Sequence, residues 1–135
     1  VVGEGLEEYK RSVTHKDGFR LVGAQDNVLA YYHAMDMYVL PSLLETSSLT
    51  TMEAMACGLP VITTPVGIMK QDIVDKVNGV LFPFETSLVL HLKIKMLIDN
   101  FALRQDIGKA ARRLIVDKYS WQRTQSQILK VLSEV

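Results

Sequence analysis

DMYVLPSLLETSSLTTMEAMACGLPVITTP, from Asp36 to Pro65, is the stretch that organises the rest of the chain. An apolar run, Met37-Tyr38-Val39-Leu40, stops at Pro41, and a second, Val61-Ile62, follows the turn residues Gly58-Leu59-Pro60. Between them Thr50 to Cys57 reads as a helix. Strand, loop, helix, strand is the repeating unit of an open parallel sheet. In such sheets the loop after a strand and the N-terminus of the next helix form an anion pocket, because unsatisfied N–H groups and the helix dipole favour negative charge. Two carboxylates, Glu45 and Glu53, flank this loop with seven residues between them.

Outward from this stretch the alternation continues. Upstream, Val1-Val2-Gly3 is too short for a whole buried strand, so the chain is expected to enter partway through a sheet. Leu6–His15 predicts a helix, Phe19–Gly23 a short strand after the Asp17-Gly18 turn, and Asn27–Met35 a second helix. Gly3 and Gly5 form G-x-G, but Glu8 stands where a dinucleotide fingerprint needs its third glycine, which favours a plain strand-to-helix turn. Downstream, Val66-Gly67-Ile68 predicts a loop, Gln71–Lys76 a short helix, and Val80-Leu81-Phe82 a strand closed by Pro83. Three helices follow, Ser87–Asp99, Leu103–Lys118 and Trp121–Glu134. Leu88, Leu92, Met96 and Ile98 mark the inner face of the first and Ile107, Ala110, Ala111, Leu114 and Ile115 that of the second, both expected on the sheet, and Ile128, Leu129 and Leu132 share one face of the third. Ser120 is placed to cap the last helix. The fold class is α/β, a Rossmann-like parallel sheet with helices on both faces.

Composition excludes several classes. The 135 residues, 48% hydrophobic, suffice for one domain with its own core. Fifteen basic and fifteen acidic side chains cancel, with no basic cluster to argue for nucleic acid. There is no long apolar run and no signal-peptide pattern, so a soluble, cytoplasmic domain is expected. Cys57 has no partner cysteine and reads as a small packing residue of a helix interior. His15, His33 and His91 fall on three separate helices without ligand spacing, so no metal site is expected.

PSLLETSSLTTMEAMACGLPVI resembles the signature of the family-four retaining glycosyltransferases of the GT-B fold: Glu, seven residues, Glu, a small-residue helix, then G-x-P-V-I. VVGEG at the start, FRLVG at Phe19–Gly23, VNGVLF at Val77–Phe82 and KYSWQR near the end resemble further landmarks of that family. The resemblance covers nearly the whole chain and implies the C-terminal, donor-binding domain of such an enzyme, extending over residues 1–135. It also implies that the domain's first strand-helix unit and the acceptor-binding N-terminal domain lie outside this chain. With them would lie an Arg and a Lys that assist the departing diphosphate. In that family the final helix commonly crosses to the other domain.

The resemblance assigns roles residue by residue. The glutamate matching Glu53 binds the ribose hydroxyls of the donor, which suits a carboxylate that can accept from two adjacent groups. A structural alternative is a capping box, Thr50-x-x-Glu53. The glutamate matching Glu45 faces the donor sugar, either holding its hydroxyls or stabilising positive charge at the anomeric carbon; a solvated loop acid is the plain alternative. Thr46, Ser47, Ser48, Leu49 and Thr50 would supply N–H groups to the diphosphate or sugar. Gly67 would line the donor site, and Gly23, Ala24 and Gln25 would lie against the nucleobase, unless they form a connecting turn. The family usually carries glycine at the positions of Thr46, Ser48 and Ile68. The absence of glycine at the first two implies a more ordinary backbone there, with hydroxyls serving as donors or caps.

The expected activity is transfer of a sugar, with retention, from a UDP-, GDP- or ADP-sugar to an acceptor hydroxyl. That nucleotide-diphosphate sugar is substrate, and no cofactor is implied. The acceptor, a glycan, lipid or small molecule, would be held by the part outside this chain, and the parent protein could associate peripherally with a membrane. This piece alone is expected to be inactive, with an exposed apolar face that favours a dimer. A non-catalytic binding or scaffold module of GT-B ancestry is the second reading, and a GT-B epimerase the third. A glycosidase is excluded because its paired carboxylates must face one sugar, whereas Glu53 is expected at the ribose.

Overall fold

The computed structural model of the protein describes Gly18 and residues 20–134. Expectations for Val1–Gly3, Leu6–His15 and Phe19 lie outside those residues. The chain divides into two compact units, Val1–Ala34 and Met35–Val135.

In the first unit, helix α1 spans Val28–Ala34. Asn27 caps it, its Oδ1 accepting from the Ala30 amide at 3.3 Å. Arg20–Gly23 form no strand, contrary to expectation. Gly23 turns to a φ of 68°, and the segment is closed by side chains instead of a ladder. Gln25 Nε2 donates to the Val22 carbonyl at 2.6 Å, and the Tyr31 hydroxyl donates to Gln25 Oε1 at 2.9 Å. A short apolar run becomes a strand only where a neighbouring chain supplies that ladder.

The second unit is a parallel sheet covered by helices. Its described strands are β1 (Tyr38–Leu40), β2 (Val61–Thr63) and β3 (Val80–Leu81), in that order across the sheet. Tyr38 pairs with Val61, and Ile62 with Val80, all in parallel register. Helices α2 (Leu49–Ala56), α3 (Ser87–Asp99), α4 (Phe101–Tyr119) and α5 (Trp121–Ser133) fall where the periodicity predicts them. α4 begins two residues earlier than expected because Asn100 Oδ1 accepts from the Leu103 amide at 3.0 Å, fixing the cap.

β2 is buried along its length, so its alternating side chains serve both faces of the sheet. Ile62, Val80, Phe82, Leu97 and Ile107 form a cluster, with Met37, Val39, Val89, Leu90, Ile94 and Leu103 packed around it. Each fully buried aliphatic contributes about 1.5–3 kcal/mol. The inner face of α3 is therefore Val89, Leu90, Ile94, Met96 and Leu97; of the residues expected inside, Met96 packs on the cluster while Leu88, Leu92 and Ile98 are exposed. Both sets repeat at the helical period, and neither spacing nor composition separates them. Ile107 and Ala111 of α4 are buried as expected. α5 buries no residue: Trp121, Ile128, Leu129 and Leu132 are exposed, so the apolar face of this last helix is not packed on the sheet.

Between β2 and β3, the expected helix Gln71–Lys76 is replaced by a 3-10 turn, Ile68–Gln71, and a side-chain-bonded loop. Asn78 Oδ1 accepts from the Val74 amide at 2.7 Å while its Nδ2 donates to the Asp72 carbonyl at 2.9 Å. Asn side chains compete with the helical ladder in this way. Lys76 adopts a φ of 62°, which no helix tolerates.

This loop is tied to the end of α4 by Asp72, whose carboxylate accepts from both the Lys118 ammonium and the Tyr119 hydroxyl. Those two bonds hold the Asp72 carboxyl below its ordinary value, while burial and the neighbouring Asp72 push the Tyr119 phenol up to about 12. The fold thus favours neutral Tyr119 and charged Asp72. The Tyr119 contribution is complete below the ordinary phenol value of about 10 and is lost as pH rises toward 12. The Asp72 contribution is present above the ordinary carboxylate range and is lost as pH falls through its lowered value. Melting temperature is therefore expected to fall between about pH 10 and 12, less steeply in Tyr119→Phe. Circular dichroism melts across that range check it, and equal slopes in the two proteins would count against the Tyr119 contribution.

Candidate functional site

The carboxyl ends of β1 and β2 bear two interlocked loops. Pro41 ends β1, since it lacks the N–H that would continue the ladder. From there residues 41–48 lead to α2. Ser42 anchors this loop: its carbonyl accepts from the Thr64 hydroxyl at the end of β2, and its own Oγ donates to Glu45 Oε1 at 2.7 Å. Glu45 is half-buried, its carboxylate aimed by Ser42. Thr46 and Leu49 are exposed, and Ser47 is half-buried.

The second loop enters through Gly67, at a φ of 64°. A Cβ there would lie 3.0 Å from the Thr46 carbonyl oxygen and 3.1 Å from that of Glu45. Positive φ and close approach both favour glycine here, since a side chain would be strained and would have to push the two carbonyls back by a few tenths of an ångström. The side chain of its neighbour Ile68 lies outside the described residues.

Ser48 departs from expectation. It caps α2 with φ 49° and ψ 55°, the left-handed conformation, so the missing glycine has not relaxed the backbone. The side chain is buried, its hydroxyl 2.7 Å from that of Thr51, a bond that offsets part of the roughly 1–2 kcal/mol strain of a non-glycine residue here. Ser48→Ala keeps the strain and loses the bond, so it is expected to cost about 1–2 kcal/mol. Ser48→Gly relieves the strain and is expected to be the more stable of the two variants. Urea unfolding gives the order, and the reverse order would remove the strain argument.

The capping box between Thr50 and Glu53 is not the geometry adopted. Thr50 is the second residue of α2, and its Oγ1 accepts from the Tyr38 hydroxyl at 2.8 Å. Glu53 stands one turn further along, exposed. Tyr38 was not singled out by the sequence reading, although it is the hydroxyl-bearing member of the run Met37–Leu40. Burial raises its phenol above the ordinary value, the Thr50 bond opposes that, and the charges of Glu45 and Glu53 both add to it. Loop and helix thus bring the two carboxylates into the field of one hydroxyl, beside the α2 N-terminus.

Cys57 is the half-buried C-cap of α2, not a helix-interior residue, and burial raises its thiol above the ordinary value. At the same end of the sheet as the loops, Pro41, Phe82, Phe84, Glu85 and Leu90 line a cleft of about 250 Å³. The structure brings together Glu45, Thr46, Ser47, Ser48, Leu49, Thr50, Glu53 and Gly67. Gly23 and Ala24 belong to the first unit, in the turn that Gln25 closes. Among the described residues no helix is long and apolar enough to cross a membrane, and no three His, Cys, Asp or Glu residues are grouped to hold a metal ion.

Comparison with known proteins gives this arrangement a family. The glycosyl transferases group 1 model matches residues 1–114. A D-inositol 3-phosphate glycosyltransferase of Salinispora arenicola is 33% identical over 98% of the chain and 31% of its own length. The chain spans about a third of the curated relative it matches there. The Anabaena protein HepE, crystallised with UDP, superposes with a TM-score of 0.90 at 22% identity, over 99% of this chain and 40% of that one. The C-terminal domain of a Francisella tularensis group 1 glycosyl transferase superposes with a TM-score of 0.69 at 30% identity, over 85% of this chain and 60% of that one. The parallel sheet and its helices are those of a GT-B C-terminal domain, and the chain belongs to the glycosyl transferases of group 1.

Proposed function

We propose that this chain is the donor-binding part of a retaining glycosyltransferase that moves a sugar from a nucleotide-diphosphate sugar to an acceptor hydroxyl. The observation that carries the proposal is the loop at the carboxyl ends of β1 and β2, where Ser42 aims Glu45, Gly67 lies against the Glu45 and Thr46 carbonyls, and the N-terminus of α2 follows directly. Glu53 accepts from the ribose hydroxyls, and Glu45, aimed by Ser42, meets the sugar. Backbone N–H groups from Thr46 to Thr50 take the diphosphate. The α2 dipole stabilises negative charge that grows on the leaving diphosphate, and fixed dipoles of this kind act without reorganisation during the reaction. Gly67 forms the opposite wall. The relative crystallised with UDP and with UDP-glucose favours a uridine donor. No cofactor is invoked, the acceptor is held by another part of the enzyme, and the protein works in the cytoplasm.

The scaffold reading rested on the replaced glycines. Ser48 holds the left-handed conformation without glycine, which removes part of that ground.

An amide NMR titration of the chain with UDP, GDP, ADP and their sugar conjugates tests the proposal. Shifts at Glu45–Glu53 and Gly67 with the uridine ligands are expected. Silence toward every nucleotide at about millimolar concentration would overturn donor binding by this chain.

A further inference from the structure

Asp72 takes no part in the donor contacts proposed above, yet it stands at one end of the segment that ends on them. Its side chain is 9% exposed and is held by Lys118 and Tyr119 at the last turn of α4, while its carbonyl accepts from Asn78. At the other end Gly67 lies against the Glu45 and Thr46 carbonyls so closely that a methyl group there would sit 3.0 Å from the Thr46 oxygen. Between the two anchors runs the 3-10 turn Ile68–Gln71, closed by the Lys70 amide donating to the Gly67 carbonyl at 3.2 Å. Only four residues, held in a hydrogen-bonded turn, separate the two anchors, so a displacement of Asp72 is passed along the backbone toward Gly67.

We propose that Asp72 is a positioning residue: through Lys118 and Tyr119 it holds the Gly67 loop against the Glu45–Thr46 main chain and so sets the wall that faces the donor. The mechanical part stands on the contacts alone; the last clause rests on the donor-binding reading. Charge is central to the device. Both bonds to the carboxylate are of the charge-assisted kind, shorter and stronger than neutral ones, and an amide at this position cannot accept from both partners on equal terms. The alternative is a strap that only fastens α4 to the loop, and it predicts changes that stay beside Asp72.

The test compares amide spectra of the full chain with those of Asp72→Asn and Tyr119→Phe. The Gly67, Lys70, Glu45 and Thr46 signals are expected to move in both variants and in the same directions, with the β2 amides unmoved. Changes confined to residues 72–78 and 118–121 would overturn positioning and leave the strap. Tyr119→Phe removes one bond only and carries the same test should Asp72→Asn fail to fold. UDP and UDP-glucose affinities are then measured on the same proteins. Binding of UDP-glucose about tenfold weaker in the variants, with UDP less affected, is the expected result. Unchanged affinities despite moved amides would overturn the claim about the donor wall. A wild-type chain that binds neither ligand would sink the donor reading, while the amide comparison still decides the positioning.

Discussion

Glu53→Ala is expected to weaken UDP binding by about 100-fold or more while leaving stability within about 1 kcal/mol of the parent. Glu53 is exposed on α2 and lies outside the core cluster, so its truncation removes no buried packing. Its proposed work is to accept two hydroxyl hydrogen bonds from a ribose. Bonds to a charged group are worth about 1.5–3 kcal/mol each, and each 1.4 kcal/mol is tenfold in affinity. Glu53→Gln retains shape and one acceptor and should lose about tenfold. Glu45→Ala separates the two carboxylates: UDP affinity should hold while the added affinity of UDP-glucose disappears, since Glu45 is assigned to the sugar. Isothermal titration calorimetry with both ligands reads all three. Equal losses of UDP binding in the Glu45 and Glu53 variants would contradict the division of labour, and no loss in either would remove the nucleotide from this site.

Sequence patterning made the sheet legible because its strands are short apolar runs, the central one buried on both faces, bounded by proline and glycine. Val61-Ile62 after Gly58-Leu59-Pro60, and Val80-Leu81 after Asn78-Gly79, had few other ways to fold. Asp72–Asn78 was not legible in the same way. Its residue types permit a helix, and the outcome was decided by Asn78 bonding the backbone on both sides. For α3 the period was right and the phase mostly wrong, Met96 alone of the expected face packing on the core, because Leu88 and Leu92 are as apolar as Val89, Leu90, Ile94 and Leu97. Only the position of α3 relative to β2 and β3 selects between those stripes, and that is tertiary information. Glu45 and Glu53 stood out through their spacing. Tyr38 did not, because an aromatic residue in a strand is first read as packing; its hydroxyl matters through a bond to Thr50, twelve residues away. Ser48 shows the limit of substitution arguments. Replacing glycine by serine altered the strain at that position, not the conformation.

Gly108→Ala is expected to destabilise the protein by about 3 kcal/mol or more, against the usual direction of this substitution. In an exposed helix, alanine is favoured over glycine by about 1 kcal/mol. Gly108 is buried in the middle of α4, however, and a Cβ there would lie 2.2 Å from the Gly58 carbonyl oxygen. That oxygen cannot easily retreat. α2 ends in a Schellman motif: the Gly58 amide donates to the Met55 carbonyl at 2.9 Å and the Leu59 amide to the Ala54 carbonyl at 3.1 Å, with Gly58 at a φ of 79°. A few residues on, Arg112 donates to the Ala56 carbonyl, a further free acceptor at the same helix end. The C-terminus of α2 is thus seated on α4, while its N-terminus carries Ser48, Thr50 and the proposed diphosphate contacts. Relief of the clash must either push α4 off the core or tilt α2, and the second route moves the site. The variant should therefore lose nucleotide affinity as well as stability, whereas the exposed neighbour variant Lys109→Ala should change stability by no more than about 0.5 kcal/mol. Urea unfolding and UDP titration on the two variants separate these effects. If Gly108→Ala proved as stable as the parent, α4 would have to sit further from α2 than this packing allows, and α2 would lose the support that fixes the direction of its N-terminus.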